Sequence, residues 1–313
     1  MCGFEYDADW IQTGFSISPF YLPLKSGLIM AKRDPFGGNF GVFDDSLPDG
    51  WGNLLLDRYL QERGIDPYKL NILERLSLIG STGRGALEYY PDKSVVTDAE
   101  YLNFDSLAKE VAKILESKES KGSVDLLYKY GGSSGGARPK VFTKVDGREW
   151  LVKFKATNDP ADVGEIEYNY SLLARDCGIR MAETCLFDNR YFGVERFDRA
   201  PQGKIHTVSA AGLLHANYRI PSLDYSILLK LTLNLTKDME QVAEMFRLMV
   251  FNVLISNRDD HAKNLSFQWA NGAWNFRRLM TFYQVTVLMV TTPRLLMEKE
   301  NLHLLTSLRW QLK

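Results

Sequence analysis

The chain is poor in cysteine, with three in 313 residues: Cys2, Cys177 and Cys185. So few thiols do not make a disulfide framework and fit a reducing compartment. No run of ~18 uncharged apolar residues occurs, which excludes a membrane-spanning helix. No basic start followed by an apolar stretch is present, so no secretory leader is read. Neither charge dominates: 38 Lys and Arg against 39 Asp and Glu give a net charge of -1. That excludes a globally basic nucleic-acid binder but leaves room for a local patch. Internal repeats and low-complexity segments are also missing. What is present is ordinary for a globular chain, 45% hydrophobic and 25% charged. The length predicts about two domains, each able to bury a core without staples. A cytoplasmic enzyme or binding protein is the class that remains.

The first part of the chain opens abruptly on Met1 to Tyr6, an apolar, strand-like start, and Phe15 to Leu24 reads as strand and loop. Pro48-Asp49-Gly50 is a turn signal. Trp51 to Arg63 has helical spacing, with Leu54, Leu55, Tyr59 and Leu60 near one face and Gly64 placed to end it. Asn71 to Ile79 predicts a second helix, broken by the run Gly80-Ser81-Thr82-Gly83-Arg84-Gly85. Ala86 to Tyr90 reads as a short strand and Phe104 to Lys118 as a helix. Glu116 to Ser123 is polar with no apolar period, and the domain boundary is placed there, near residue 125. Beyond it, Val141 to Val145 and Glu149 to Phe154 flank Asp146-Gly147, a hairpin signal. Val163 to Cys177 reads as a helix capped by Gly178. Thr184 to Phe187 and Arg190 to Phe197 read as strands. After Ser209 the chain is expected to be mostly helical, with Met245 to Ser256 apolar nearly all round and so buried.

Three segments could carry chemistry. Gly131 to Ala137 is the densest Gly/Ser run, and small residues let backbone N–H groups approach phosphates closely. A flexible linker is the plain alternative. No Walker pattern GxxxxGK[ST] is present, and a strand rather than a helix follows, so a P-loop or dinucleotide fold is not indicated. A Gly-rich loop leading into a hairpin with a lysine on its second strand is the kinase arrangement. Lys153 is that lysine, one charge in the apolar strand Leu151 to Phe154; an edge lysine facing water is the plain alternative. Glu165 and Glu167 lie on the next helix, and kinases hold the phosphate-binding lysine with a helix glutamate. Glu167 is the choice, at the head of the apolar run Tyr168 to Leu173. Asn257-Arg258-Asp259-Asp260-His261-Ala262-Lys263-Asn264 is the sharpest signal. Asp259 and Asn264 are five apart, as in the kinase pattern H-R-D-x-x-x-x-N.

Taken together, Phe15 to Pro19, Phe43-Asp44-Asp45-Ser46-Leu47-Pro48-Asp49-Gly50-Trp51-Gly52, Ser133 to Lys140, Val194 to Arg199 and Asn257 to Asn264 resemble the HipA-type toxin kinases over residues 4 to 287. The resemblance implies an α+β fold, a small mixed N-terminal domain followed by a protein-kinase-like two-lobed core. It implies a cytoplasmic protein serine/threonine kinase using ATP and Mg²⁺. Its partners would be a HipB-like DNA-binding antitoxin, with DNA reached only through it, and a protein substrate of the aminoacyl-tRNA synthetase class. Carried over by residue, Asp259 would accept the substrate hydroxyl proton. Ser133, Ser134, Gly135, Gly136, Ala137, Lys153, Glu167 and His261 would surround the nucleotide, with Glu195 and Phe197 at the adenine hinge. Asn264 would hold the metal. Ser133 would be the autophosphorylated serine, with Ser134 the alternative acceptor.

The family's second metal aspartate falls on Gln284, in Phe282-Tyr283-Gln284-Val285, and a neutral amide is a poor ligand for a hard cation. No aspartate follows Asp260. The expected division is residues 1–125, a HipA-like subdomain incomplete at its start, then 126–287, the kinase-like core. The atypical tail 288–313 reads as the product of a frameshift near residue 287. Besides an active or impaired kinase, a pseudokinase that binds nucleotide or antitoxin stays open, as does a small-molecule kinase of related fold.

Overall fold

The computed structural model describes residues 1–95, 103–118, 121–220, 223–257 and 259–278. Gln284 and the tail 288–313 lie outside the described residues.

At the start, β1 (Gly3–Phe4) brackets helix α1 (Ala8–Thr13) by pairing antiparallel with β2 (Ile29–Met30). The short α2 (Gly41–Asp44) leads to α3 (Gly50–Gln61), which buries Trp51, Leu55, Leu56 and Leu60. Gly64, with φ +72°, follows its end as expected. A 3₁₀ turn (Pro67–Lys69) precedes α4 (Ile72–Ile79). There Asn71 and Glu74 form a reciprocal capping box, the sequence signal for a helix start. The strand expected at Ala86 to Tyr90 does not form. Tyr89 N–H donates to the Gly80 carbonyl and Lys93 N–H to that of Ser77, so this backbone is tied back to the end of α4.

Next come α5 (Phe104–Leu115) and α6 (Lys121–Gly131). The second helix, which crosses residue 125, was not expected. Its start lies in the polar stretch 116–123, and its buried face, Val124, Leu127 and Tyr128, becomes apparent only against α3 and α5.

The hairpin β3 (Lys140–Val145) and β4 (Arg148–Lys153) forms as read. Asp146 and Gly147 both have positive φ, +49° and +76°, which suits the strand twist. After β4, α7 (Val163–Asp176) packs on β5 (Thr184–Phe187) and β6 (Tyr191–Glu195). The four strands make an antiparallel sheet in the order β3-β4-β6-β5. The small hairpin β7 (Arg199–Ala200) and β8 (Gly203–Lys204) leads to β9 (His206–Ser209) and the helices α8 (Ala210–Leu214), α9 (Tyr225–Thr236) and α10 (Met239–Leu254). A 3₁₀ turn (Ala262–Asn264) then enters β10 (Leu265–Ala270) and β11 (Ala273–Arg278), which with β9 form a sheet in the order β11-β10-β9.

Two expectations for this half need correction. Among the described residues after Ser209 the chain is not helical throughout, because 265–278 is a hairpin. There Leu265, Phe267, Trp274 and Phe276 are buried, and the alternation with Ser266 and Asn275 has a strand period. Nor is the 245–256 segment buried all round: Met245, Leu248 and Met249 are, while Val253 and Leu254 are 54% and 77% exposed.

The architecture is mixed α+β, as expected. Among the described residues the two larger cores each draw on both sides of residue 125. One joins Trp51, Leu55 and Leu60 of α3 with α5, α6 and Val141, Trp150 and Val152 of the β3–β4 hairpin. The other joins Tyr6, Ile17, Leu22 and Phe40 to Val208, α9, α10 and the β10–β11 hairpin. No helix among the described residues is long and apolar enough to cross a membrane.

Candidate functional site

Lys153 ends β4 and Glu167 lies one turn into α7. Their side chains meet, Lys153 Nζ to Glu167 Oε2 at 2.6 Å, at 8% and 3% exposure. The strand lysine is therefore buried rather than at a wet edge. Burying two charges is costly unless they pair with good geometry, as these do. The pair borders a cavity of about 410 Å³, also lined by Arg138, Phe154, Gly164 and Tyr191.

Lys140 lies directly across the ladder from Lys153. Opposite residues on paired strands share a face, so two ammonium groups enter the same buried region. Lys140 donates to the Gly135 carbonyl in the Gly-rich loop. Burial, and then the charge of Lys153, push its pKa down to about 8, while Asp49, Glu167 and Asp259 pull the other way. Those five charged groups thus share one electrostatic neighbourhood.

The Gly-rich loop is closely held. Ser133 is partly exposed and its hydroxyl donates to the Thr82 carbonyl at 3.1 Å. Ser134 is fully buried and donates to the Gly131 carbonyl at 2.6 Å. Gly135 and Ala137 are exposed, and Gly136, with φ +84°, donates its N–H to Asp49. Asp49 also accepts from Lys263 Nζ at 2.8 Å. Burial opposes the charge on Asp49, but the Lys263 ammonium and the Gly136 N–H outweigh it and hold the carboxyl below its usual range.

The 257–264 turn follows α10. Asp259 N–H donates to Asn257 Oδ1 at 3.1 Å, and Asn264 Nδ2 donates to the Asp259 carbonyl at 2.6 Å, so Asn257 and Asn264 fix the aspartate's backbone. The Asp259 side chain is 36% exposed and can meet a second molecule. His261 Nε2 lies 3.5 Å from Asp259 Oδ1. Burial lowers the histidine pKa, with the charge of Asp259 opposing it. Asp260 instead accepts from Tyr225 OH at 3.0 Å, and Tyr225 in turn accepts from Asn252 Nδ2. That network braces the turn on α9 and α10.

The Glu195–Phe197 segment lies at the far end of β6. Glu195 pairs with Trp150, three residues and about 10 Å along the strand from Lys153. Its carboxylate lies 3.4 Å from Arg148, and the Phe197 carbonyl accepts from Gln268. The neighbouring Asp198 is a buried knot. It accepts from Arg196, Arg199 and the Gly85 N–H, while both arginines also reach the Gly83 carbonyl. The motif Val194 to Arg199 therefore ties the β-sheet to the glycine-broken loop after α4.

Sequence reasoning quoted three charged groups of this site, Asp49, Lys140 and Lys263, within its motifs but gave none of them a role. The signal for Lys140 was available, because the Asp146-Gly147 turn fixes the register and so places it opposite Lys153. The arrangement can receive a polyanion: buried lysines, a loop of small residues, and a half-open carboxylate nearby. For a divalent cation the donors are fewer. Among the described residues no group of three His, Cys, Asp or Glu side chains is placed to hold a metal ion. Asn264, with its amide nitrogen on the Asp259 carbonyl, has its oxygen end left to offer.

Comparison with known proteins agrees along most of the chain. Residues 1–90 match the model of the HipA N-terminal domain and residues 132–302 that of the HipA-like C-terminal domain. The Sinorhizobium fredii protein Y4dM, whose naming as a kinase is itself provisional, is 26% identical over 275 residues. That match covers 76% of this chain but 63% of Y4dM, so the chain spans less than two thirds of that relative. HipA of Shewanella oneidensis MR-1, solved with HipB and operator DNA, superposes with a TM-score of 0.62 at 19% identity. It covers 90% of this chain and 70% of that one, and at this identity the likeness is one of fold.

Proposed function

The chain belongs to the HipA family, and from that premise we propose that it is an ATP-dependent protein serine/threonine kinase, the toxin of a toxin–antitoxin pair. The observation that carries the reading is the buried Lys153–Glu167 pair beside the Gly-rich loop, within the electrostatic neighbourhood that includes Asp259. A lysine held by a helix glutamate is how kinases orient the nucleotide phosphates. A loop of small residues over two buried lysines adds donors without bulk.

In this reading Lys153 and Lys140 take the phosphates, and Ser133 to Ala137 cover them. Glu195 and Phe197 stand at the adenine end, and His261 lies beside Asp259. Asp259 accepts the proton of the attacking hydroxyl, held in place through its backbone by Asn257 and Asn264. Asn264, with Gln284, would hold Mg²⁺, which supplies charge neutralisation on the phosphates. Ser133 is the autophosphorylation site, partly exposed where Ser134 is fully buried. The division at residues 125 and 287 goes with this reading, as do a HipB-like antitoxin and a synthetase-class substrate.

A second reading, a pseudokinase that binds nucleotide without transfer, is favoured by the neutral Gln284 in place of a carboxylate. One assay separates them. Wild type and Asp259→Asn are incubated with radiolabelled ATP and Mg²⁺, and nucleotide binding is measured in parallel. A kinase gives label in wild type and none in Asp259→Asn, with binding largely kept. Binding without label in wild type supports the pseudokinase, and equal label in both removes Asp259 as the base.

A further inference from the structure

Asp49 stands at the N-cap of α3, where an aspartate ordinarily accepts an N–H from the first turn of its own helix. Here no such side-chain cap bond forms. The carboxylate, 7% exposed, turns instead to two other parts of the chain. One oxygen accepts the Gly136 N–H in the Gly-rich loop, and the other accepts Lys263 Nζ at 2.8 Å. The turn around it is shaped for the same contact. Trp51 donates its N–H to the Gly136 carbonyl at 3.0 Å and its indole N–H to the Lys140 carbonyl at 3.1 Å. Gly50 has φ +36°, and a Cβ there would lie 2.5 Å from Ala137 Cα. At Gly52 a Cβ would lie 2.2 Å from the Ser134 carbonyl oxygen. Two glycines therefore clear the space, and Asp49 and Trp51 supply the bonds.

We propose that Asp49 is a positioning residue for the phosphoryl-transfer site: it seats the Gly-rich loop on the start of α3 and couples that loop to Lys263. The functional consequence rests on the kinase reading above; the seating itself does not. Bonds from an ammonium and an amide to one buried carboxylate are charge-assisted and strong for their kind. Because one carboxylate serves both, lifting the loop weakens the hold on Lys263, and moving Lys263 weakens the hold on the loop. The 257–264 turn and the phosphate-covering loop thus respond to each other through a residue of the N-terminal segment. The Pro48-Asp49-Gly50-Trp51-Gly52 motif thereby gains a role at the site.

The test uses the full chain with Asp49→Asn, which keeps the shape and removes the charge, and Gly52→Ala, which wedges the loop and leaves the charge. Hydrogen exchange is followed in the loop 132–138, in α3 and in α5, and the affinity for AMP-PNP is measured. Local opening shows as local exchange. The expected result is loop exchange at least ~10-fold faster in both variants with α5 unchanged, and AMP-PNP bound ~10-fold more weakly by Asp49→Asn. Loop exchange within about twofold of wild type in both variants would overturn the proposal. So would exchange that rises in α3 alone, the mark of a residue that only caps its helix. If Asp49→Asn unfolds, as faster α5 exchange would reveal, Gly52→Ala decides. A wild type that binds no AMP-PNP, with the loop still loosened in both variants, removes the kinase reading and leaves the seating standing.

Discussion

Lys140 and Lys153 face each other across the β3–β4 ladder, and their ammonium groups share one buried face, Lys153 on the Glu167 carboxylate and Lys140 on the Gly135 carbonyl. Two like charges side by side cost free energy in the absence of an anion and repay it when a polyanion arrives. On the kinase reading proposed above, the arrangement trades stability of the empty protein for phosphate affinity.

Lys140 makes that trade measurable by pH. Its pKa in the folded chain is pushed down to about 8, against ~10.4 in an unfolded one. Between those values the unfolded state holds the proton and the folded state does not, so this group makes stability rise with pH through that window. Below it, the charged form is a cost. Lys140→Met should therefore be more stable than wild type at neutral pH, by about 1–3 kcal/mol. The gap should shrink by about pH 10, as urea unfolding at both pH values would measure. A gap that stays constant would mean Lys140 is not held charged at a cost.

Lys153→Met leaves the buried Glu167 without its ammonium. Breaking a buried pair from one side costs about 3–5 kcal/mol, whereas replacing both partners by apolar groups is often neutral. Lys153→Met should lose stability on that scale, and adding Glu167→Leu should recover most of it. Both should lose ATP affinity. Denaturant unfolding of the single and double variants, with a nucleotide titration, separates the structural from the binding role.

Ser133 and Ser134 are neighbours with opposite access. Incubation with Mg·ATP followed by phosphopeptide mapping should place the phosphate on Ser133. Ser133→Ala should abolish it and Ser134→Ala should not. A phosphate adds about −1.5 to −2 charges and removes the hydroxyl donor that meets the Thr82 carbonyl. Hydrogen exchange in 132–138 should therefore rise after phosphorylation. Phosphate found on Ser134 would overturn the assignment.

Gln284→Asp should tighten Mg²⁺-dependent nucleotide binding, because a hard cation prefers a carboxylate to an amide. Titrating Mg²⁺ against ATP binding in both forms checks this. Tight, equal Mg²⁺ dependence in the two forms would mean another residue supplies the charge.

What the sequence made legible follows from how local each signal is. The β3–β4 hairpin was readable because Asp146-Gly147 both states the turn and fixes the register. The Lys153–Glu167 contact was anticipated because a lysine in an apolar strand needs a partner, and the next helix offered one. Helix α6 was not readable, since its first residues are polar and its buried face needs α3 and α5 to define it. The β10–β11 hairpin was lost behind the helical rhythm of α9 and α10. Asp49 was read only as part of the Pro48-Asp49-Gly50 turn signal, and only the fold reveals that it reaches the Gly-rich loop and Lys263. Residues whose partner is 87 or 214 positions away leave no local pattern.

The core that joins Tyr6, Ile17, Leu22 and Phe40 to the β10–β11 hairpin has a consequence for synthesis. Phe15 stacks on Trp269 with centroids 4.8 Å apart, and the Ile17 carbonyl meets His206 at 2.9 Å. On the ribosome Ile17 emerges 189 residues before His206, and Phe15 likewise long before Trp269. At roughly 5–20 residues per second, the wait is on the order of ten to fifty seconds. Throughout it these N-terminal groups have only one another, as Phe4 has Tyr6 and Tyr6 has the Leu22 carbonyl, while the rest of their core is missing. Such a nascent chain is a natural client for a holdase chaperone. Its yield in a cell should respond more to chaperone supply and to translation speed than its finished stability would suggest.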